Sequence, residues 1–198
     1  MYFDQINVLY GAIVDHCTLQ SCPTMSAPLN NQFYWTDDKG KKFKYSASQY
    51  IDTVLTYIAK IISDETYFPT KCGHPFPANF ESLVKKIHKH LFHILAHMYH
   101  SHYKELLLLK LNTYVNSIYL HFYSFNKSFN LLEDKEIEIM DALNRSFLNK
   151  YSTTSTQQLA SSLMQNQQHP PTIHQSASSS SSTGFSFFKK KLNFNLMA

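Results

Sequence analysis

Two thiols and a crowd of imidazoles are the side chains in this 198-residue chain that could do chemistry. Cys17-Thr-Leu-Gln-Ser-Cys22 holds two sulfurs with four residues between them, and six of the eleven histidines fall between His88 and His102. Two soft sulfurs and two imidazoles make the Cys₂His₂ set that closes a tetrahedral structural zinc site. Four protein ligands leave no coordination position for water, so such a site holds a joint and does no chemistry. The alternative is that the imidazoles lie in or beside the interior, where each needs a hydrogen-bond partner.

Spacing alone does not pick the histidine pair. His97 and His102 are five residues apart, which on an ideal helix turns the direction by about 140°. His93 with His97, or His97 with His100, lie closer on one face. A His97/His102 pair therefore requires the helix to end or bulge near His100.

Other chemistries find no support. A catalytic zinc would need an open position and a carboxylate base, but there is no HExxH, and Glu105, the closest acid in sequence, has no partner motif. Neither GxxxxGK(S/T) nor GxGxxG occurs, and four glycines leave little material for a phosphate loop. No basic helix or finger spacing accompanies the ligands. Residues 1–150 carry 15 Lys+Arg against 14 acids, and Lys189–Lys191 supply the rest of the +4 charge. That is not the footprint of a nucleic-acid binder. The odd count of three cysteines, two with metal spacing, points to a reducing compartment, with Cys72 a small loop or core residue. No secretory lead and no uncharged apolar run of about 18 residues is present, so a soluble cytoplasmic protein, with the nucleus also open to it, is expected.

The elements that must position these groups are mostly helices. Met1–Cys17 carries Phe3, Ile6, Tyr10, Ile13 and Cys17 at helical spacing. Thr18–Tyr45 is loop, within which Gln32–Thr36 and Lys41–Tyr45 flank Asp37–Gly40 as a β-hairpin. Ser46 and Gln49 form a capping box opening a helix to about Ile62 with a wide apolar stripe. Pro and Gly make Phe68–Ala78 an irregular loop, after which Asn79 caps the long histidine-bearing helix. There Leu91, Ile94, Leu95 and Met98 form the buried face, with the histidines beside it. A short piece at Lys104–Lys110, an aromatic helix at Thr113–Phe129 and a last helix at Glu133–Phe147 follow. The expected fold is all-α: an antiparallel four-helix bundle over residues 1–150 with a small β-hairpin and the zinc tie. Residues 151–198, rich in Ser, Thr, Gln and Asn, form a disordered tail.

Several long words in this chain resemble the MOB (Mps one binder, or phocein-like) family of kinase co-activators. They are FDQINVLYG at Phe3–Gly11, HCTLQSCPTMSA at His16–Ala27, DETYFPTKCGHPFPANF at Asp64–Phe80, KHLFHILAHMYHSHY at Lys89–Tyr103 and NKSFNLLEDKEIEIMDAL at Asn126–Leu143. The resemblance covers roughly residues 2–148. It implies that zinc is held by Cys17, Cys22, His97 and His102. It implies a non-enzymatic adaptor that binds the N-terminal regulatory segment of NDR/LATS-class AGC kinases, in cell division, morphogenesis and growth control. It further implies a phosphothreonine-peptide site for upstream Hippo-type kinases. Family members build that site on Lys-Arg-Leu-Phe-Arg, which here reads Lys89-His90-Leu91-Phe92-His93. Imidazole donates fully only when protonated, so Lys89, His90 and His93 are expected to give a weaker site, tighter at pH 6 than at pH 8, or none. Family members also carry further residues upstream, including much of the acidic kinase-binding surface. A truncated reading frame or a cut-down member is expected, and the competing role is a phocein-like scaffold that keeps the fold without activating a kinase.

Overall fold

The computed structural model describes residues 2–37, 39–71 and 73–149. Cys72 and the Ser- and Gln-rich segment 151–198 lie outside the described residues. Met1–Pro69 and Pro75–Phe147 make up one compact unit. Of the second unit, His74 N donates to Lys71 O at 3.4 Å.

In the first unit, the opening helix, α1, runs over Tyr2–Gly11 and buries Ile6, Leu9 and Tyr10. It stops short of the expected Cys17. Gly11 is a weak helix former, and the chain turns there into a 3-10 turn at Val14–His16. Ile13 still reaches the core. A tight loop follows: Ser21 Oγ donates to His16 O at 2.6 Å, and Cys22 N donates to Thr18 O at 2.9 Å.

Two small antiparallel ladders come next. In the first, β1 (Ser26–Ala27) pairs with β2 (Asn31–Gln32), Ser26 opposite Gln32. Leu29 and Asn30 take φ of 59° and 58° in the turn between them. In the second, β3 (Trp35–Thr36) pairs with β4 (Lys42–Phe43), Trp35 opposite Phe43. This is the expected hairpin, shortened to two residues a side. Gly40 supplies the positive φ of 79°, and the Asp37 carboxylate accepts from Lys39 N and Lys41 N.

Helix α2, Ala47–Ile62, opens on the expected capping box, with the Ser46 side chain accepting from Gln49 N and the Gln49 side chain accepting from Ser46 N. Between Ile62 and Phe80 the described residues form neither helix nor strand. Helix α3, Phe80–Ser101, starts after Asn79, whose side chain makes no cap bond. Its carbonyl instead accepts from Ser82 Oγ and Leu83 N. Helices α4 (Tyr103–Leu108) and α5 (Asn112–Phe129) follow, and Asn130 ends α5 in the left-handed region with φ 50°. The expected last helix is interrupted: α6 (Asp134–Ile137) passes through a 3-10 turn at Glu138–Met140 before residues 141–149 resume the helix.

The fold is mostly helical, and α3 is its axis. It packs against α1, α2 and β1, while α5 packs against α1 and α4. Ile6, Ile13, Tyr50, Ile58, Ile94, Leu95 and Met98 are fully buried around it. Because partners surround α3, burial is not confined to the Leu91/Ile94/Leu95/Met98 stripe. His88, His90, His93 and His97 are inside the protein and not beside its buried face. Two polar contacts bridge elements in the core: Tyr119 Oη donates to Asn144 Oδ1 and Leu132 N to Asn126 Oδ1, both at 2.8 Å. No helix among the described residues is long and apolar enough to cross a membrane.

Candidate metal centre

The loop after α1 delivers Cys17 and Cys22, and the end of α3 delivers His97 and His102. Cys17 leaves the 3-10 turn, and Cys22 is fixed by its carbonyl accepting from Ala47 N at 3.0 Å, at the start of α2. On the other side α3 ends at Ser101. His102 leaves helical geometry at φ −128°, ψ 12°, with its N–H still bonded to Met98 O. This break turns the His102 ring back toward His97, and the two ring centroids lie 5.2 Å apart.

All four side chains are buried, and their Sγ and ring nitrogen atoms lie within 4.8 Å of one another. Cys17 Sγ stands 3.6 Å from His97 Nε2, and Cys22 Sγ stands 3.4 Å from His102 Nε2. Sulfur and nitrogen at about 2.3 and 2.0 Å from the centre of a tetrahedron would be about 3.5 Å apart. The four residues are placed to hold a metal ion.

Burial drives Cys17, His97 and His102 toward their neutral forms. It pushes the Cys17 thiol up to about 12, with the neighbouring Cys22 thiol adding to the effect. It pushes His97 down to about 4 against the pull of its bond to the Ser26 carbonyl, and it lowers His102 against the opposing pull of Glu105. Neutral imidazole is the form that ligates, and a cation among the sulfurs reverses the penalty on thiolate.

Around the four donors sits a ring of supporting groups. His97 Nδ1 donates to Ser26 O on β1 at 2.8 Å, which aims Nε2 at the sulfurs. The Tyr10 hydroxyl on α1 works against burial at Cys17, drawing its thiol back down. Glu105 Oε2 on α4 lies 3.8 Å from His102 Nδ1. Sequence reasoning missed these three. Tyr10 looked like one more core residue, Ser26 acts through its backbone, and Glu105 was weighed only as a catalytic base.

The residues Lys89, His90 and His93 are divided between two environments. Lys89 extends outward and pairs with Glu136 of α6. His90 and His93 turn inward, and Tyr50 Oη meets both, at 3.1 Å from His90 Nδ1 and 2.7 Å from His93 Nδ1. Phe33 stacks on the His93 ring with centroids 3.7 Å apart, and Trp35 lies 5.2 Å from the His90 ring. Burial holds His90 down to about 4, with Lys86 and Lys89 adding to it, and holds His93 well below the ordinary imidazole range. Both rings are thus held toward their neutral form.

A profile of the Mob1/phocein family matches residues 1–140. The human protein named MOB kinase activator 2 is 50% identical over 142 residues, 72% of this chain and 60% of that protein. MOB kinase activator-like 2 of Drosophila melanogaster is 41% identical over 138 residues, 70% of this chain and 24% of its own length. MOB kinase activator-like 1 homolog A of Dictyostelium discoideum is 40% identical over 149 residues, 74% of this chain and 70% of that protein. The chain thus spans about 60% of the length of its human relative. With the profile covering most of its length, the chain belongs to the Mob1/phocein family.

Proposed function

We propose that the chain is a non-enzymatic adaptor that binds and co-activates a protein kinase, and that its Cys₂His₂ centre holds one structural zinc ion. The partner is the N-terminal regulatory segment of an NDR/LATS-class AGC kinase, met in a reducing, cytoplasmic compartment. One observation carries this reading: relatives 40–50% identical to the chain bear the name kinase activator. Two thiolates and two imidazoles suit zinc, and with four protein ligands zinc supplies a cross-link and no activated water. Cys17 and Cys22 anchor the loop after α1, His97 and His102 anchor the end of α3, and the Ser26 carbonyl orients the His97 ring.

A phosphothreonine peptide is a second proposed ligand. Lys89 opens on a groove of about 550 Å³ that it shares with Lys85, Lys86, Glu133 and Glu136. In this reading the lysines supply the charge, and His90 and His93 stay behind them as neutral packing. Affinity is therefore low, because Glu136 competes for Lys89, and it varies little between pH 6 and 8. Phosphopeptide binding that tightened at pH 6, beyond any change in an unphosphorylated control, would put the imidazoles back in the site.

The deciding test is a calorimetric titration of zinc-loaded chain with the kinase segment. One-to-one binding at about micromolar affinity or better supports the proposal. A folded, loaded chain that takes up no segment has the scaffold role instead.

A further inference from the structure

The two imidazoles of the metal centre are not supported alike. When Nε2 ligates a metal, a neutral ring carries its one proton on Nδ1, and that N–H needs an acceptor. His97 has one, the Ser26 carbonyl at 2.8 Å. Facing His102 Nδ1 is Glu105 Oε2 at 3.8 Å, about 0.6 Å beyond hydrogen-bond range. This oxygen is itself buried and has no hydrogen-bond partner among the described residues. A buried carboxylate oxygen left unpaired is unfavourable, so two wants face each other across one rotatable side chain.

The helix break explains why the carboxylate is there. His102 is the residue before α4, and Glu105 is three positions on. A Glu at that place ordinarily reaches back to the backbone N–H of the capping residue. Here that N–H is already given to Met98 O at 2.9 Å, which leaves the carboxylate to the ring.

We propose that Glu105 is the positioning residue for His102, accepting Nδ1–H and holding Nε2 toward Cys22. This rests on the reading of Cys17, Cys22, His97 and His102 as metal ligands. Carboxylate support makes the ring a better donor and fixes its orientation, and losing such support weakens metal binding by about 10- to 100-fold.

The test compares the full chain with Glu105→Gln and Glu105→Ala, each loaded with zinc and titrated with a chromophoric chelator. Cobalt-substituted samples report the ligand field. Glu105→Ala is expected to lose about 10- to 100-fold in affinity. Glu105→Gln, whose amide oxygen still accepts the bond but without charge, should lose about three- to tenfold. Equal affinities and identical cobalt spectra for wild type and both variants would overturn the assignment of Glu105 while leaving the ligand set standing. A wild-type chain that holds no metal would overturn both. If Glu105→Ala does not fold, the comparison of Glu105→Gln with wild type decides, and equality there overturns the proposal.

Discussion

Replacing Tyr50 by Phe removes a single oxygen at the point where two buried histidines meet. That hydroxyl has one proton and two lone pairs, so it donates to one Nδ1 and accepts from the other. The rings of His90 and His93 must then hold their protons on different nitrogens. Phe leaves both Nδ1 atoms without a partner. Phe33 lies flat on His93 and Trp35 lies beside His90, so water has poor access to replace the hydroxyl. Each buried group left unpaired costs about 1–3 kcal/mol. With some relief from ring rotation, Tyr50→Phe should destabilise the chain by about 2–4 kcal/mol, or about 5–15 °C in Tm for a chain of this size. The measurement is urea unfolding of the zinc-loaded protein, comparing midpoints at equal slope. Tyr119→Phe is the control, since it leaves one acceptor, Asn144 Oδ1, unpaired, and about half the loss is expected. The reasoning fails if Tyr50→Phe falls within about 0.5 kcal/mol of wild type, below the cost of even one such orphan. It fails equally if Tyr119→Phe proves the more damaging.

Two other outcomes follow from the buried side chains. Cys22→Ala should abolish metal retention and lower Tm by about 10 °C or more, because structural metal binding is folding free energy; elemental analysis that still found one metal per chain would refute the ligand assignment. Acid should unfold the protein through its core imidazoles: burial holds His88 down to about 3 and His90 to about 4. The unfolded chain takes up these protons near pH 6.5 and the folded chain does not, so stability is complete above pH 6.5 and falls as pH drops. The loss is up to about 1.4 kcal/mol per pH unit for each ring, ending where the folded rings also protonate. Urea midpoints that stay constant from pH 7 to pH 5 would contradict this.

Features set by neighbours in the chain were legible in the sequence. Ser46 and Gln49 bond across three residues and needed no tertiary context, and the His97/His102 pair, once the family resemblance singled it out, required the helix to end near where it does. Features set by distant partners were not. The inward turn of His90 and His93 depends on Phe33, Trp35 and Tyr50, none of which sits on their helix. The β1–β2 ladder hangs on Leu29, a residue with no preference for the left-handed conformation it adopts. Nothing in Glu138-Ile-Met140 marks the interruption there, since neither Pro nor Gly is present. The supporting groups of the metal centre were hidden for a related reason. A backbone carbonyl has no letter in the sequence, and Glu105 becomes visible only when the helix breaks.

The metal centre also imposes an order in time on how the molecule is made. Each sulfur lies 80 residues ahead of the imidazole it faces. At 5–20 residues per second, a ribosome that has released Cys17 and Cys22 needs roughly 4–16 s more to deliver His97 and His102. Through that interval α1 and its loop have no α3 to pack on, and the two thiols have the ordinary reactivity of exposed cysteine. The amino-terminal region is therefore secured late, once α3 has emerged to pack on it. In the proposed zinc-bound form the ion would wait for that same moment, since two of its four ligands arrive only with the end of α3.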